Sequence, residues 1–418
     1  MRLCSSFAAH HATEMSSSTD VLCMATADAS CSFKPVVLPR RVPTASDVSI
    51  DLLYCGVCHT DLHAASGDAA ALLGSHYPCV PGHELCGVVT AVGSAVTKFA
   101  VGDNVGVGCM VDSCLSCAAC RRGEEQFCMK QVPTYGGKDR SGRAASPLGW
   151  TLGGYSKRTV VHERFVIRIP AGYPLAAAGP IFCAGVTLFD PLRRHGAQAG
   201  SRVGIVGLGG LGQMGARLAS AMGCIVTVIT RAPASKRALA EACGAAAVLD
   251  SSDAAALRAA AGTLDLVLDT VPVAHDWAPF KALLAPGGRR KLVLLGLHAD
   301  LAAGIAADIV LCGASRVTGS GIGGIEATQA AIDFCAAKNI VLSTKLIPVE
   351  GINGAFEALA RGNDSGERFV IDLRTLDSGA EERCRGVAPP SLGPPPPKVT
   401  VGGIVASLAS ILCCCRGR

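Results

Sequence analysis

Arg202-Val203-Gly204-Ile205-Val206-Gly207-Leu208-Gly209-Gly210-Leu211-Gly212 is the stretch that decides the architecture of this chain. Arg202–Val206 reads as a short buried strand, and the glycines run straight into a helical segment, Gln213–Met222. Strand, glycine turn and helix in that order form the setting that a dinucleotide fingerprint requires. Gly207 is expected to make the tight turn, Gly209 to let the backbone approach a pyrophosphate, and Gly212 to let helix and strand pack closely. The backbone N–H groups of Leu208, Gly210 and Leu211 at the helix start would then face the phosphates.

Downstream, a second strand at Ile225–Ile229 ends in Thr230-Arg231. An NAD-selective site places Asp or Glu about 20 residues beyond the glycines to hold the ribose 2′-hydroxyl. Arg231, with Lys236 and Arg237 nearby, suits a 2′-phosphate instead, through charge-assisted hydrogen bonds. The expected cofactor is therefore NADP(H); the competing reading is a solvated basic helix start. Ala246–Leu249, Leu264–Asp269, Lys291–Leu295 and Val317–Thr318 continue as strands between alanine-rich helical segments, which predicts a doubly wound parallel sheet.

Upstream, the chain is β-rich and carries two cysteine-bearing motifs. Val48–Leu53 and Cys86–Val92 read as strands, and Gly93, Gly102 and Gly106 punctuate a barrel-like domain. Between those strands lie Cys55-Gly-Val-Cys58-His-Thr60-Asp-Leu-His63 and Gly82-His83-Glu84. A catalytic zinc takes three protein ligands and keeps a fourth position open. Cys58 and His83 can supply two of them, and Cys183, a lone cysteine in the apolar stretch Ile181–Thr187, is a candidate third. By itself Cys-x-x-Cys-His also matches a haem-attachment or redox motif. Cys114-x-x-Cys117-x-x-Cys120, followed by Cys128, is more specific: four thiolates on one loop close a tetrahedron around Zn²⁺, the mark of a structural site.

Composition narrows the class. A chain of 418 residues with 50% hydrophobic and 17% charged residues is globular and long enough for two or three domains. The net charge of +5 is not gathered into basic runs, so nucleic-acid binding is not expected. Twenty-one cysteines without a clear secretory signal suggest a reducing compartment, the cytoplasm, with metal sites rather than a disulfide framework. Residues 1–32 read as an N-terminal extension, with Met15 or Met24 as alternative starts. Residues 377–418 read as a proline-rich linker and an apolar tail ending in Cys413-Cys414-Cys415. Seventeen apolar residues at Val399–Cys415 sit at the lower limit for a membrane span, and the adjacent cysteines are candidate palmitoylation sites.

Taken together these motifs resemble the zinc-containing medium-chain alcohol dehydrogenases, in the cinnamyl-alcohol-dehydrogenase-like branch with its broad-specificity aldehyde reductases. The resemblance spans roughly Phe33 to Leu376 and also includes Leu152-Gly-Gly-Tyr155, Cys183-Ala-Gly-Val-Thr187, Asp269-Thr-Val-Pro-Val273, Gly319-Ser-Gly-Ile-Gly323 and Arg368-Phe-Val-Ile-Asp372. It implies an α/β fold: a β-rich GroES-like catalytic domain (33–182 and 322–376) and a Rossmann domain with a doubly wound parallel sheet (183–321). It implies Cys58, His83 and Cys183 as catalytic zinc ligands with Glu84 beside them, a proton relay through Thr60 and His63, Thr187 at the cofactor, and a homodimer. The substrate implied is a small alcohol or aldehyde. Cinnamyl-specific members carry bulky aromatic residues near the positions of Pro133 and Gly321, which this chain lacks. Two rival readings remain: a zinc-lacking enone or quinone reductase of the same superfamily, and a non-catalytic, zinc-stapled protein held at a membrane by its tail.

Overall fold

The computed structural model describes residues 18–68, 76–138, 146–273, 275–287, 290–296, 316–362 and 368–377, with Gly379 and Cys384 beyond them. Two sheets organise the chain. The first is wholly parallel, with six strands in the order Ala247–Asp250, Ile225–Thr230, Arg202–Val206, Leu266–Asp269, Lys291–Leu294 and Val317–Gly319. The chain starts in the middle, winds outward to one side and then crosses to the other, which leaves a crevice beside Arg202–Val206 at the carboxyl edge. Val203, Ile205, Val226, Val228, Val267 and Leu268 are buried, as expected of strands covered on both faces.

The second sheet has seven strands and is antiparallel except at one edge. Its centre is Asp47–Gly56, paired with Leu85–Val92, Arg158–His162 and Arg368–Asp372. Thr344–Pro348 adds to Arg368–Asp372 in parallel, so the last described part of the chain returns to the β-rich half. Asp47–Gly56 and Leu85–Val92 carry two register shifts, at Ser49/Ile50 and Leu52/Tyr54. Bulges of this kind bend a sheet towards a barrel.

Residues 18–32 do not behave as an extension. Ser18–Ala25 is a strand paired along its length with Lys34–Arg41, and Val21, Leu22 and Met24 are buried in the main core of the β-rich half. Met24 donates its N–H to Tyr155 O at 2.8 Å, and Phe33 packs on Tyr155 and Phe356. Arg40 is buried and donates to Leu152 O, Gly153 O and Ser156 Oγ at 2.6–2.7 Å. Residues 18–32 therefore belong to the β-rich half, and a start at Met24 would remove most of a core strand. The expected apolar tail lies outside the described residues; among the described ones no single helix is long and apolar enough to cross a membrane.

Candidate active site

Cys58 stands at the head of the helix His59–Ser66, and its own N–H donates to Asp61 Oδ2 at 2.9 Å. Cys58 therefore turns inward from the end of strand Asp47–Gly56 while Asp61, one turn along, is wholly buried. The pattern Cys58-x-x-Asp61 works like a capping box, with Asp in place of Glu. Cys183 sits at another break in helical structure. The 3-10 turn Gly179–Phe182 ends there, Cys183 has φ −120° and ψ −82°, and the helix Ala184–Arg194 starts immediately after. His83 and Glu84 lie just before the strand Leu85–Val92.

These elements bring Cys58, His83, Glu84 and Cys183 together, with ligand atoms all within 4.8 Å of one another. Cys58 Sγ is 4.0 Å from Cys183 Sγ, and His83 Nε2 is 3.2 Å from Cys183 Sγ. Two thiolates on a tetrahedral zinc, at Zn–S of about 2.3 Å, stand about 3.8 Å apart. The donor set and spacing fit the metal.

Asp61 and Arg368 were given no role by the sequence reading, and both hold this cluster in place. Asp61 Oδ1 faces His83 Nδ1 at 2.9 Å and accepts from Gly82 N at 3.0 Å, while Tyr155 OH reaches Oδ2 at 3.3 Å. A carboxylate on Nδ1 fixes the histidine ring and leaves Nε2 for a metal. Arg368 Nη2 donates to Glu84 Oε1 at 2.6 Å, and Glu84 is fully buried. Glu84 Oε2 has no hydrogen-bond partner, an exception among buried polar atoms that a nearby cation would satisfy. Burial pushes the Glu84 carboxyl up to about 7, with Arg368 pulling the other way. Gly56 backs this carboxylate: a Cβ there would stand 1.9 Å from Glu84 Oε2.

The other candidate residues separate into three places. Thr60 Oγ1 lies 3.6 Å from Cys58 Sγ, at the cluster, whereas His63 one turn on is half-exposed and held by Asp68 at 2.9 Å from Nδ1. Thr187 is buried in the helix that Cys183 opens. Gly207 has φ +85°, a turn that favours glycine. A Cβ on Gly212 would meet Gly207 O at 2.1 Å, yet one on Gly209 would meet nothing within 4 Å. The first and last glycines thus serve the chain's own packing, and Gly209 opens onto space at the head of the helix Gly210–Ala221. Cys183 and Gly209 share a neighbourhood: a Cβ on Gly185 would lie 3.3 Å from Met214 Cε, and one on Gly215 would lie 2.9 Å from Leu188 Cδ1. Arg231 and Arg237 are exposed at and beyond the carboxyl end of Ile225–Thr230, with Lys236 between them half-buried.

Cys114, Cys117, Cys120 and Cys128 form a second cluster with sulfurs within 4.8 Å. Cys114–Cys120 and Cys117–Cys120 Sγ separations are 3.8 and 3.5 Å, again the edges of a zinc tetrahedron. Leu115, at φ +61°, turns the loop, and N–H groups of Cys117, Cys114 and Lys130 donate to the sulfurs of Cys114, Cys128 and Cys128. Backbone N–H groups of Ser116 and Cys117 bring the Cys114 thiol down to about 5, while burial pushes Cys120 up to about 12. A divalent cation is what lets all four ionise together.

Comparison with known proteins agrees with both halves. The alcohol dehydrogenase GroES-like domain family matches residues 44–171, and the zinc-binding dehydrogenase family matches residues 210–337. The chain is 42% identical over 361 residues to a probable cinnamyl alcohol dehydrogenase of Oryza sativa, covering 86% of this chain and 95% of that protein. It is 44% identical over 344 residues to the aldehyde reductase YahK of Escherichia coli, covering 82% and 95%. A cinnamyl alcohol dehydrogenase structure from Sorghum bicolor superposes with a TM-score of 0.78 at 40% identity, covering 85% of this chain and 98% of that one. The CAD of Helicobacter pylori, solved in complex with NADP(H), gives 0.74 at 34% identity, covering 85% and 99%. The chain belongs to the medium-chain, zinc-binding alcohol dehydrogenase family, in the branch shared by cinnamyl alcohol dehydrogenases and aldehyde reductases.

Proposed function

We propose that this dehydrogenase holds one catalytic and one structural zinc and reduces aldehydes to primary alcohols with NADPH. The observation that carries the reading is the mixed cluster of Cys58, His83, Glu84 and Cys183, placed one helix away from the open glycine turn at Gly209. When bound, zinc supplies Lewis acidity to the substrate oxygen and the nicotinamide supplies the hydride. Cys58, His83 and Cys183 would hold the metal, with Asp61 orienting the His83 ring and Arg368 restraining Glu84. Backbone N–H groups of Leu208–Gly212, at the head of the helix Gly210–Ala221, would hold the pyrophosphate. Thr60 Oγ1, beside Cys58 Sγ, would accept or return the proton of the substrate hydroxyl, and His63, held by Asp68 and half-exposed, would exchange a proton with solvent.

NADP(H) selectivity is supported by charge at the end of Ile225–Thr230. The helix Pro233–Ala242 has no acidic residue in its first turn, so its positive end adds to Arg231, Lys236 and Arg237. Asp250, on the neighbouring strand end, is turned to Ser252 Oγ at 2.6 Å. Pro133 is half-buried, and a Cβ on Gly321 would meet nothing within 4 Å, so no aromatic wall narrows the pocket at these places. A broad aldehyde range fits better than a single lignin precursor. Cysteine usage keeps the cytoplasm as the enzyme's compartment in this reading, and the family resemblance makes it a homodimer.

The test is kcat/KM for NADPH and NADH with one good aldehyde. Charge-assisted bonds to the 2′-phosphate are worth about 1.5–3 kcal/mol, so wild type should prefer NADPH by roughly ten- to a hundredfold. Arg231→Asp should remove most of that preference. A wild type that prefers NADH, or a mutant with an unchanged ratio, contradicts the assignment of Arg231.

A further inference from the structure

The four-cysteine lobe makes contacts that a local staple does not need. Glu125, in the turn between Cys120 and Cys128, is almost fully buried. Its Oε2 accepts the backbone N–H of Ile325 at 3.0 Å, the first residue of the helix Ile325–Ala337. Its Oε1 accepts from Arg164 Nη2 at 3.1 Å, and the same guanidinium donates to Cys120 O. One carboxylate thus ties a cysteine-bearing turn to the start of a helix 200 residues away.

That helix start carries the loop leaving the last parallel strand, Val317–Gly319, at the carboxyl edge where a dinucleotide lies in this kind of sheet. The loop is wedged on two sides. A Cβ on Gly323 would stand 2.4 Å from Val186 Cγ2, on the helix opened by Cys183. A Cβ on Gly324 would stand 1.8 Å from Gly123 O, on the cysteine lobe. A second strap runs alongside: Arg194, on the Cys183 helix, bonds Glu124 Oε1 at 3.2 Å and Asp190 Oδ2 at 3.1 Å.

We propose that Glu125 is a positioning residue: through Ile325 it lets the cysteine lobe set the loop that walls the cofactor side of the active site. The inference rests on the NADP(H) reading above. Glu125 touches neither cofactor nor substrate, so its effect should fall on cofactor affinity, not on the chemical step.

The experiment measures NADPH dissociation constants by nicotinamide fluorescence, with zinc content and hydrogen exchange at Ile325–Thr328. Glu125→Ala should keep two zinc ions per chain, lose exchange protection at the Ile325 amide and bind NADPH about two- to thirtyfold more weakly, the range of couplings through packed networks. The KM for NADPH should rise with it, while kcat at saturating cofactor stays within about twofold. Glu125→Gln keeps an acceptor for Ile325 N and should fall between wild type and Glu125→Ala. Gly324→Ala, which pushes the same contact apart from the other side, should weaken NADPH comparably; it and Glu125→Gln decide the matter if Glu125→Ala does not fold. Variants that bind NADPH as tightly as wild type overturn the inference and leave the function intact. A wild type that binds no nicotinamide cofactor overturns both.

Discussion

The two cysteine clusters are built from opposite kinds of sequence. Cys114, Cys117, Cys120 and Cys128 lie on one loop, so local chain geometry brings the sulfurs together, and local backbone N–H groups complete their environment. Cys58, the His83-Glu84 pair and Cys183 come from three separated places, and the groups that orient them are Asp61, in the helix that Cys58 heads, with Tyr155 and Arg368 from distant parts of the chain. The loop site depends on spacing and the mixed site on the whole fold. This difference matches a closed, structural metal against an open, reactive one.

If that contrast is right, losing a supporting group should hurt the mixed site far more than the loop site. Asp61→Ala should have the largest effect. It strands His83 Nδ1, Gly82 N, Cys58 N and Tyr155 OH in the interior, at about 3–5 kcal/mol of stability. It should also weaken the catalytic zinc by about a hundredfold, the upper end for such partners. Chelator titration and thermal melting check both numbers; unchanged zinc affinity would mean that Asp61 does not orient His83.

Gly56→Ala should come next. The added methyl meets Glu84 Oε2 at 1.9 Å, and the carboxylate cannot swing away without breaking its bond to Arg368. Overpacking of this kind costs about 1–3 kcal/mol, and we expect kcat/KM for aldehyde to fall about tenfold with the four-cysteine zinc retained. The smallest effect belongs to Ser113→Ala. It removes the Ser113 Oγ contacts to Cys120 Sγ at 3.2 Å and to the Leu115 N–H at 3.3 Å, and should cost about 1 kcal/mol in stability while leaving activity unchanged.

The same contrast explains what the sequence made legible. The glycine turn, the parallel strands and the cysteine quartet are short-range patterns, and their predicted bounds match the observed elements within a residue or two. Asp61 was in plain view inside the Cys58–His63 stretch, and the Cys-x-x-Asp cap was the signal that could have identified it. Arg368 and Glu125 carried no such signal, because their partners stand 284 and 200 residues away. The strand Ser18–Ala25 was missed for a related reason. A serine run leads into it, and its burial depends on Lys34–Arg41 and on Tyr155.

The central claim is that one cluster is catalytic and the other structural. The most direct test is zinc content per chain, measured beside NADPH-dependent aldehyde reduction and thermal stability in wild type, Cys183→Ser and Cys117→Ser. Wild type should hold two zinc ions. Cys183→Ser should stay folded, with the four-cysteine zinc in place and aldehyde reduction lost, whereas Cys117→Ser should lose stability together with the other zinc. A single zinc in active wild type, or equal loss of fold in both variants, would contradict the division of roles.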